Sequence, residues 1–259
     1  MKHLRSILII SFLVISSEIF AQIPNLSFLI SGNLTLPVGL FGQGVGDDAK
    51  LTRRSGFDVG KKIGYAGTGV GFGVDFLSAT RNRKIDWLLG TTYYRNGTDV
   101  SELEAKFEEL LGDTTNLKFE YGSWNCMTLM TGFRYKRSLS GKLAFYGSIK
   151  AGINLTKAAT RKVIRPEIIT LDSSYTNVTV EETIFDYAMN FGYELGLGFD
   201  FANKFNFELK YLSLGNPRYE GIRKISDLQF PGIFDRNTTI IGEERSISMV
   251  LLTFGFYLI

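Results

Sequence analysis

Residues 185–201 read FDYAMNFGYELGLGFDF. Every odd position in that stretch is apolar: Phe185, Tyr187, Met189, Phe191, Tyr193, Leu195, Leu197, Phe199 and Phe201. The even positions, Asp186, Ala188, Asn190, Gly192, Glu194, Gly196, Gly198 and Asp200, are small or polar. Side chains alternate across a β-strand, so the stretch predicts one strand with an apolar face and a small, polar face. It is far longer than the roughly five or six residues of an ordinary strand. A face that stays apolar over such a length meets one apolar medium throughout.

Seven other stretches repeat the pattern. The first sets Leu26, Phe28, Ile30, Leu34, Leu36 and Val38 against Ser27, Ser31, Asn33 and Thr35, with Leu29 the apolar residue on the polar side. The second alternates Val70, Phe72, Val74 and Phe76 with Gly67, Gly69, Gly71, Gly73 and Asp75. The third opposes Ile85, Trp87, Leu89, Thr91 and Tyr93 to Asp86, Gly90 and Thr92. In the fourth, Met127, Leu129, Phe133 and Tyr135 stand against Thr128, Gly132 and Arg134. The fifth pairs Leu143, Phe145, Ile149, Ile153 and Leu155 with Ala144, Ser148, Lys150, Gly152 and Asn154. After the stretch at 185–201, the seventh strand sets Phe205, Phe207, Leu209 and Tyr211 against Asn206, Glu208 and Lys210. The eighth sets Val250, Leu252, Phe254, Phe256 and Leu258 against Thr253, Gly255 and Tyr257.

Alternation alone does not say which face is inside. A soluble calyx of the lipocalin kind would turn charged side chains to water. Here the polar face is Gly, Ala, Ser and Asn with scattered charges, which suits the cramped interior of a small barrel. Short connections at Ser78–Lys84, Lys136–Gly141 and Ala202–Lys204 alternate with long ones at 39–65, 96–120, 156–183 and 213–245. That rhythm is the periplasmic-turn, extracellular-loop pattern of outer-membrane barrels, and an even strand number puts both termini on the periplasmic side. Trp87, Phe133, Tyr135, Phe199, Phe201, Phe205, Phe207, Phe254 and Phe256 fall near short turns or the C-terminus. Tyr93, Phe185, Tyr187 and Tyr211 fall near the other end. Two aromatic rims are what a membrane wall requires. The expected fold is all-β: an eight-stranded antiparallel up-and-down transmembrane barrel.

The N-terminus reads as a leader. Lys2 and Arg5 precede the apolar run Ile7–Ile15, and Ala21 precedes Gln22 at a plausible cleavage point. Residues 1–21 are therefore expected to be a cleaved signal peptide and 22–259 the barrel domain. No cysteine near the cleavage point suggests a lipoprotein, and too few residues precede the first strand for the plug of an active importer. Loss of Lys2, Arg5 and Glu18 takes the net charge from +3 to +2, and no basic stripe interleaved with aromatics appears, so nucleic acid is not an expected partner. The one cysteine, Cys126, forms no internal disulfide and reads as a small packing residue.

The leader, a first strand ending Leu36-Pro37-Val38-Gly39-Leu40-Phe41, the glycine-alternating second strand and the aromatic last strand together resemble the PorT-like outer-membrane β-barrel proteins of Bacteroidota. The ending Phe256-Tyr257-Leu258-Ile259 departs from the terminal aromatic residue common in such barrels. The resemblance implies an accessory role in a secretion or envelope complex.

An eight-stranded barrel is just wide enough for its own side chains. The residues expected inside include Asp75, Asp86, Asp186 and Asp200, with a lumen ion-pair network of Arg134, Lys150, Glu194, Glu208 and Lys210. Lys150 and Glu194 sit at comparable heights on neighbouring strands and are expected to pair. Arg134 and Lys210 are expected to serve carboxylates nearer the short turns. A plug of ion pairs is the expected role, and a narrow pore for ions or small solutes is the competing one.

Catalysis is not expected. The single histidine, His3, lies in the leader, whereas lipid- and peptide-modifying outer-membrane barrels use histidine as base or proton relay. Asp47 and Asp48 read as turn residues in a Gly-rich loop, and no metal-ligand spacing or cofactor motif appears. The loop around 96–118 is acidic and the first long loop basic, so the two are suited to dock on one another over the barrel mouth. In the acidic loop Ser101-Glu102-Leu103-Glu104 reads as a capping box that starts a helix. Its stripe of Leu103, Phe107, Leu110 and Leu111 is the candidate surface for a partner protein or lipopolysaccharide. The sequence thus predicts a monomeric barrel of the bacterial outer membrane. It would act as a structural or protein-interaction component, bound by outer-membrane lipids, lipopolysaccharide and an envelope complex.

Overall fold

The computed structural model describes residues 26–43, 50–52, 56–58, 63–80, 84–101, 104–105, 118–171, 173–227 and 235–258. The leader and the stripe Leu103, Phe107, Leu110 and Leu111 lie outside the described residues. In chain order the strands are β1 (Leu26–Pro37), β2 (Lys50–Thr52), β3 (Gly56–Asp58), β4 (Ala66–Ala79), β5 (Ile85–Thr98), β6 (Lys118–Tyr121), β7 (Trp124–Ser138) and β8 (Leu143–Lys157). They continue as β9 (Arg161–Leu171), β10 (Ser173–Phe185), β11 (Tyr187–Phe201), β12 (Phe205–Gly215), β13 (Arg218–Asp227), β14 (Arg236–Glu244) and β15 (Ile247–Leu258).

Eight of these form a closed barrel in the order β1-β15-β12-β11-β8-β7-β5-β4. Each neighbour is antiparallel, and the β1–β4 pairing removes the last free edge. The pleat sorts the side chains. Phe72, Phe133, Ile149, Phe191, Leu197 and Phe254 are exposed on the wall, while Asp75, Arg134, Lys150, Glu194 and Lys210 are buried inside. The register gathers the aromatics into rims. Phe199 stacks on Phe207 at 5.1 Å and Phe207 meets Phe254 at 5.0 Å near the short turns. Tyr193 and Tyr211 lie 6.2 Å apart towards the other end. Among the described residues, no outward position between the two rims is Asp, Glu, Lys or Arg.

The long connections are not simple loops. Segments within 96–120, 156–183 and 213–245 fold as a second sheet, β14-β13-β10-β9-β6, and 50–58 carries the β2–β3 hairpin. Each strand of the second sheet is joined to a barrel strand across a break of one to three residues, so five walls of the barrel are prolonged beyond its long-loop end. Sequence periodicity gave no warning. These strands carry charge on both faces, as at Glu181 and Glu182 or Arg223 and Lys224, because neither face is the apolar wall.

One such break corrects the reading of 185–201 as a single unbroken strand. Asp186 lies between β10 and β11, and its N–H donates to Glu220 O at 2.8 Å. Asp186 and Tyr187 are consecutively exposed, so the parity slips by one. Phe185, expected on the outer rim, is therefore turned inward and fully buried. Asp186, expected in the lumen, faces solvent.

Tight barrel curvature shows where β7 and β8 cross. A Cβ added to Gly132 would fall on the Ile149 carbonyl oxygen, whereas one on Gly32, on the outer wall, would meet nothing within 4 Å. Gly132→Ala is expected to lower the unfolding free energy by about 1–3 kcal/mol, the usual scale of overpacking. Gly32→Ala should leave it nearly unchanged, both read by denaturant titration of the barrel in detergent.

Candidate functional site in the barrel lumen

Five inward residues of β4, β8, β11 and β12 meet in mid-barrel. Lys150 Nζ lies 2.8 Å from Glu194 Oε1 and 3.1 Å from Asp75 Oδ1. Lys210 Nζ lies 3.5 Å from the same Glu194 oxygen and 3.3 Å from Glu208 Oε2. Ser148 Oγ donates to Glu208 Oε1 at 2.6 Å. The pairing is local in origin: Lys150 and Glu194 are direct cross-strand partners in the β8–β11 ladder. Gly196 leaves room for this layer, since a Cβ there would collide with Glu208 and Ser148. Lys210, expected to serve carboxylates nearer the short turns, reaches Glu208 one inward step closer to them on β12 and also joins Glu194 in this central layer.

A second layer lies nearer the short turns around Arg134. Its Nη2 and Nε donate to Asp86 Oδ2 at 2.6 and 3.0 Å, and Nη1 lies 3.3 Å from Asp200 Oδ2. Nη1 also donates to Tyr257 Oη at 2.5 Å, and Tyr257 donates to Asp200 Oδ1 at 2.8 Å. The guanidinium lies 4.7 Å over the Tyr146 ring, and Asn206 donates to both Tyr146 Oη (2.6 Å) and Asp200 Oδ1 (2.9 Å). Sequence reading missed Tyr146, Tyr257 and Asn206 as members of this network. Their signal was large or amide side chains at inward positions otherwise held by small residues.

Apolar layers lie at the level of the short turns and above the charges. Leu29, Leu77, Leu88 and Tyr257 form a small buried cluster, which is where the apolar intruder Leu29 finds its place. A larger cluster fills the long-loop mouth and runs on into the second sheet, with Phe41, Trp124, Phe185, Leu212, Tyr219 and Met249 among its members. Trp124 packs edge-on against Phe41 (5.2 Å) and Tyr219 (5.9 Å), and its indole N–H donates to Gly64 O at 3.0 Å. The first long connection is thereby drawn down over the mouth. Cys126 is buried in the same cluster as a free thiol.

The interior is thus polar at mid-height, apolar at the long-loop mouth, and closed by its own side chains. Buried ions in such a layer are tolerable only when each has its partners. Among the described residues no group of three or more His, Cys, Asp or Glu is placed to hold a metal ion.

Outside the barrel, Glu120 on β6 accepts from Lys162 of β9 at 2.9 Å and lies 2.9 Å from Lys118. These lysines hold its carboxyl down to about 2. In the 96–118 connection the Asp99 carboxylate accepts from the Ser101 N–H (3.2 Å) and Oγ (2.7 Å), and Glu104 N–H donates to Val100 O at 2.9 Å. The helical turn therefore starts with Asp99 as its side-chain cap rather than Ser101.

Fold and lumen together define a closed antiparallel eight-stranded barrel with an apolar wall and an ion-paired, side-chain-filled interior. Among solved structures the chain is similar to the attachment invasion locus protein Ail of Yersinia pestis. That likeness has 10% identity over 90% of this chain and 97% of that one, with a TM-score of 0.38. Neisserial surface protein A gives 8% identity over 89% and 96%, TM-score 0.37. A major outer membrane protein from Thermus thermophilus gives 8% over 90% and 100%, TM-score 0.44. No protein-family model and no curated protein sequence matches the chain. The functional argument therefore rests on the chain's own residues.

Lys150→Met strands Asp75 and deprives Glu194 of its nearest cation. It is expected to cost about 3–5 kcal/mol in unfolding free energy, the scale for breaking a buried pair from one side. Glu120 titrates in the folded state below its ordinary value near 4.5, so its pairing is fully present above that value and fades as pH falls towards 2. The protection of β6 amides, taken relative to their intrinsic exchange rate at each pH, should fall over that window in the wild type, and Glu120→Gln should remove the pH step.

Proposed function

We propose that the chain is a non-enzymatic integral barrel of the bacterial outer membrane, acting as a structural or protein-interaction component of the envelope. The wall carries the argument: a band of exposed Phe, Leu, Ile, Val and Met, free of charge between its rims among the described residues, is stable only against lipid. On this reading residues 1–21 are the cleaved signal peptide and the short turns with both termini face the periplasm. The long-loop end, with its second sheet, faces outward.

The filled interior supports a plug rather than a pore, because conduction would require both charge layers and the Trp124–Tyr219 cap to move aside. The projecting sheet β14-β13-β10-β9-β6 supports the interaction role: it is an ordered platform raised beyond the wall, with Ile222 exposed on it. The PorT-like resemblance points the same way, to an accessory of a secretion or envelope complex, with lipopolysaccharide as the surrounding lipid of the outer leaflet. The stripe Leu103, Phe107, Leu110 and Leu111, outside the described residues, stays a candidate contact on the sequence alone.

A photo-crosslinking residue at position 222, illuminated in native membranes, should give a discrete protein adduct. An unmodified chain, or adducts with lipid only, would remove the interaction role while leaving the barrel in place. In planar bilayers the purified barrel should give no conductance steps, and regular steps at neutral pH would replace the plug by a narrow pore.

A further inference from the structure

The short-turn end carries a charge pattern of which the plug uses only Lys136. The connections 80–84 (TRNRK), 136–142 (KRSLSGK) and 202–204 (ANK) contain lysine and arginine and no aspartate or glutamate. Lys84, Lys136, Arg137 and Lys142 line one pocket of about 680 Å³ at this rim, together with Ser138 and Tyr135. Lys136 is shared with the lumen, 3.5 Å from Asp86. Arg137 and Lys142 are exposed and pair with no carboxylate among the described residues.

Directly above lies a hollow in the outer wall. Gly147 occupies an outward position on β8 between Phe145 and Ile149, and a Cβ there would meet only Leu197 Cδ2 at 3.5 Å and Gly196 O at 3.9 Å. Phe133, Tyr135, Ile149, Leu195 and Leu197 stand around this missing side chain in a groove of about 920 Å³. Tyr135 lines both spaces, so an apolar channel on the wall opens at its foot into a cluster of cations.

We propose that this composite surface is a binding site for an anionic phospholipid. One acyl chain lies in the Gly147 groove and the headgroup phosphate sits among Lys84, Lys136, Arg137 and Lys142. Tyr135 stands at the junction, where an amphipathic ring favours the headgroup level. The charge pattern selects an anion and the groove selects a chain; a free phosphate would use only the first. Exposed Leu139, on the same turn as Arg137 and Lys142, adds an apolar contact to the interface. This site rests on the membrane reading and adds to it a preferred lipid at the short-turn rim.

The test uses the purified full barrel in lipid nanodiscs, with spin-labelled phosphatidylglycerol or phosphatidylcholine reporting the motionally restricted lipid. Wild type should prefer phosphatidylglycerol. Arg137→Gln/Lys142→Gln should lower that preference by about fivefold or more, since each interfacial cation is worth roughly 1 kcal/mol towards anionic lipid. Gly147→Leu should reduce restricted phosphatidylglycerol with every cation in place, and millimolar inorganic phosphate should not displace the lipid. Equal restriction of the two lipids by wild type, or an unchanged preference in the double variant, would overturn the site. Displacement by inorganic phosphate would reduce it to an anion pocket and overturn the lipid assignment. If Gly147→Leu does not fold, the double variant on the exposed turn decides alone. A barrel that enters neither lipid would instead defeat the membrane reading.

Discussion

The pleat of a sheet closed on itself gives each side chain two destinations, wall or interior, and no third. In β8, Phe145, Ile149 and Ile153 go to the wall while Tyr146, Lys150 and Asn154 go inside. In β11, Leu195 and Leu197 go out while Glu194 and Asp200 go in. Closure makes this sorting strict, because a slip of one residue would carry a charge into the apolar band and an aromatic ring into the crowded centre. The apolar wall, the ion layers and the narrow interior are three consequences of that single constraint.

Inside, the constraint becomes electrostatic. Three carboxylates, from Asp75, Glu194 and Glu208, share the ammonium groups of Lys150 and Lys210. Asp86 and Asp200 share the guanidinium of Arg134 with help from Tyr257 and Asn206. Charges so enclosed contribute little net stability, but each fixes its neighbours, since any one left alone is costly. The layers therefore set the register of β4, β7, β8, β11 and β12 relative to one another. They also block the passage that an emptier barrel would leave open.

Beyond the apolar wall the rule that kept one face greasy lapses. The strands continue as β6, β9, β10, β13 and β14, but the parity slips at Asp186 and bulges occur near Gly215 and Gly221. These irregularities let the prolonged strands bend and turn Phe185 and Tyr219 over the mouth, where they meet Trp124 and Phe41. The cap thus joins parts of the chain that lie far apart in sequence. On the outer surface, polar chemistry is kept at the two ends, a projecting sheet at one and a lysine- and arginine-rich rim at the other.

The sequence by itself determined that eight strands close into an up-and-down barrel, which face of each meets the wall and, Asp186 apart, which charged residues share the interior. All of this follows from a period of two read against side-chain polarity. Even the partnership of Lys150 with Glu194 was within reach, because neighbouring strands and short turns restrict the register. Closer relations needed the tertiary structure. That Lys210 is shared between Glu194 and Glu208, and which ring lies under Arg134, depends on how side chains meet in the barrel interior rather than on the pattern of any one strand. The second sheet was hidden because its strands carry charge on both faces and so leave no apolar stripe to read. The fate of Phe185 turned on one residue, Asp186, which leaves the ladder because its N–H finds a partner on the neighbouring connection; no local pattern records that bond.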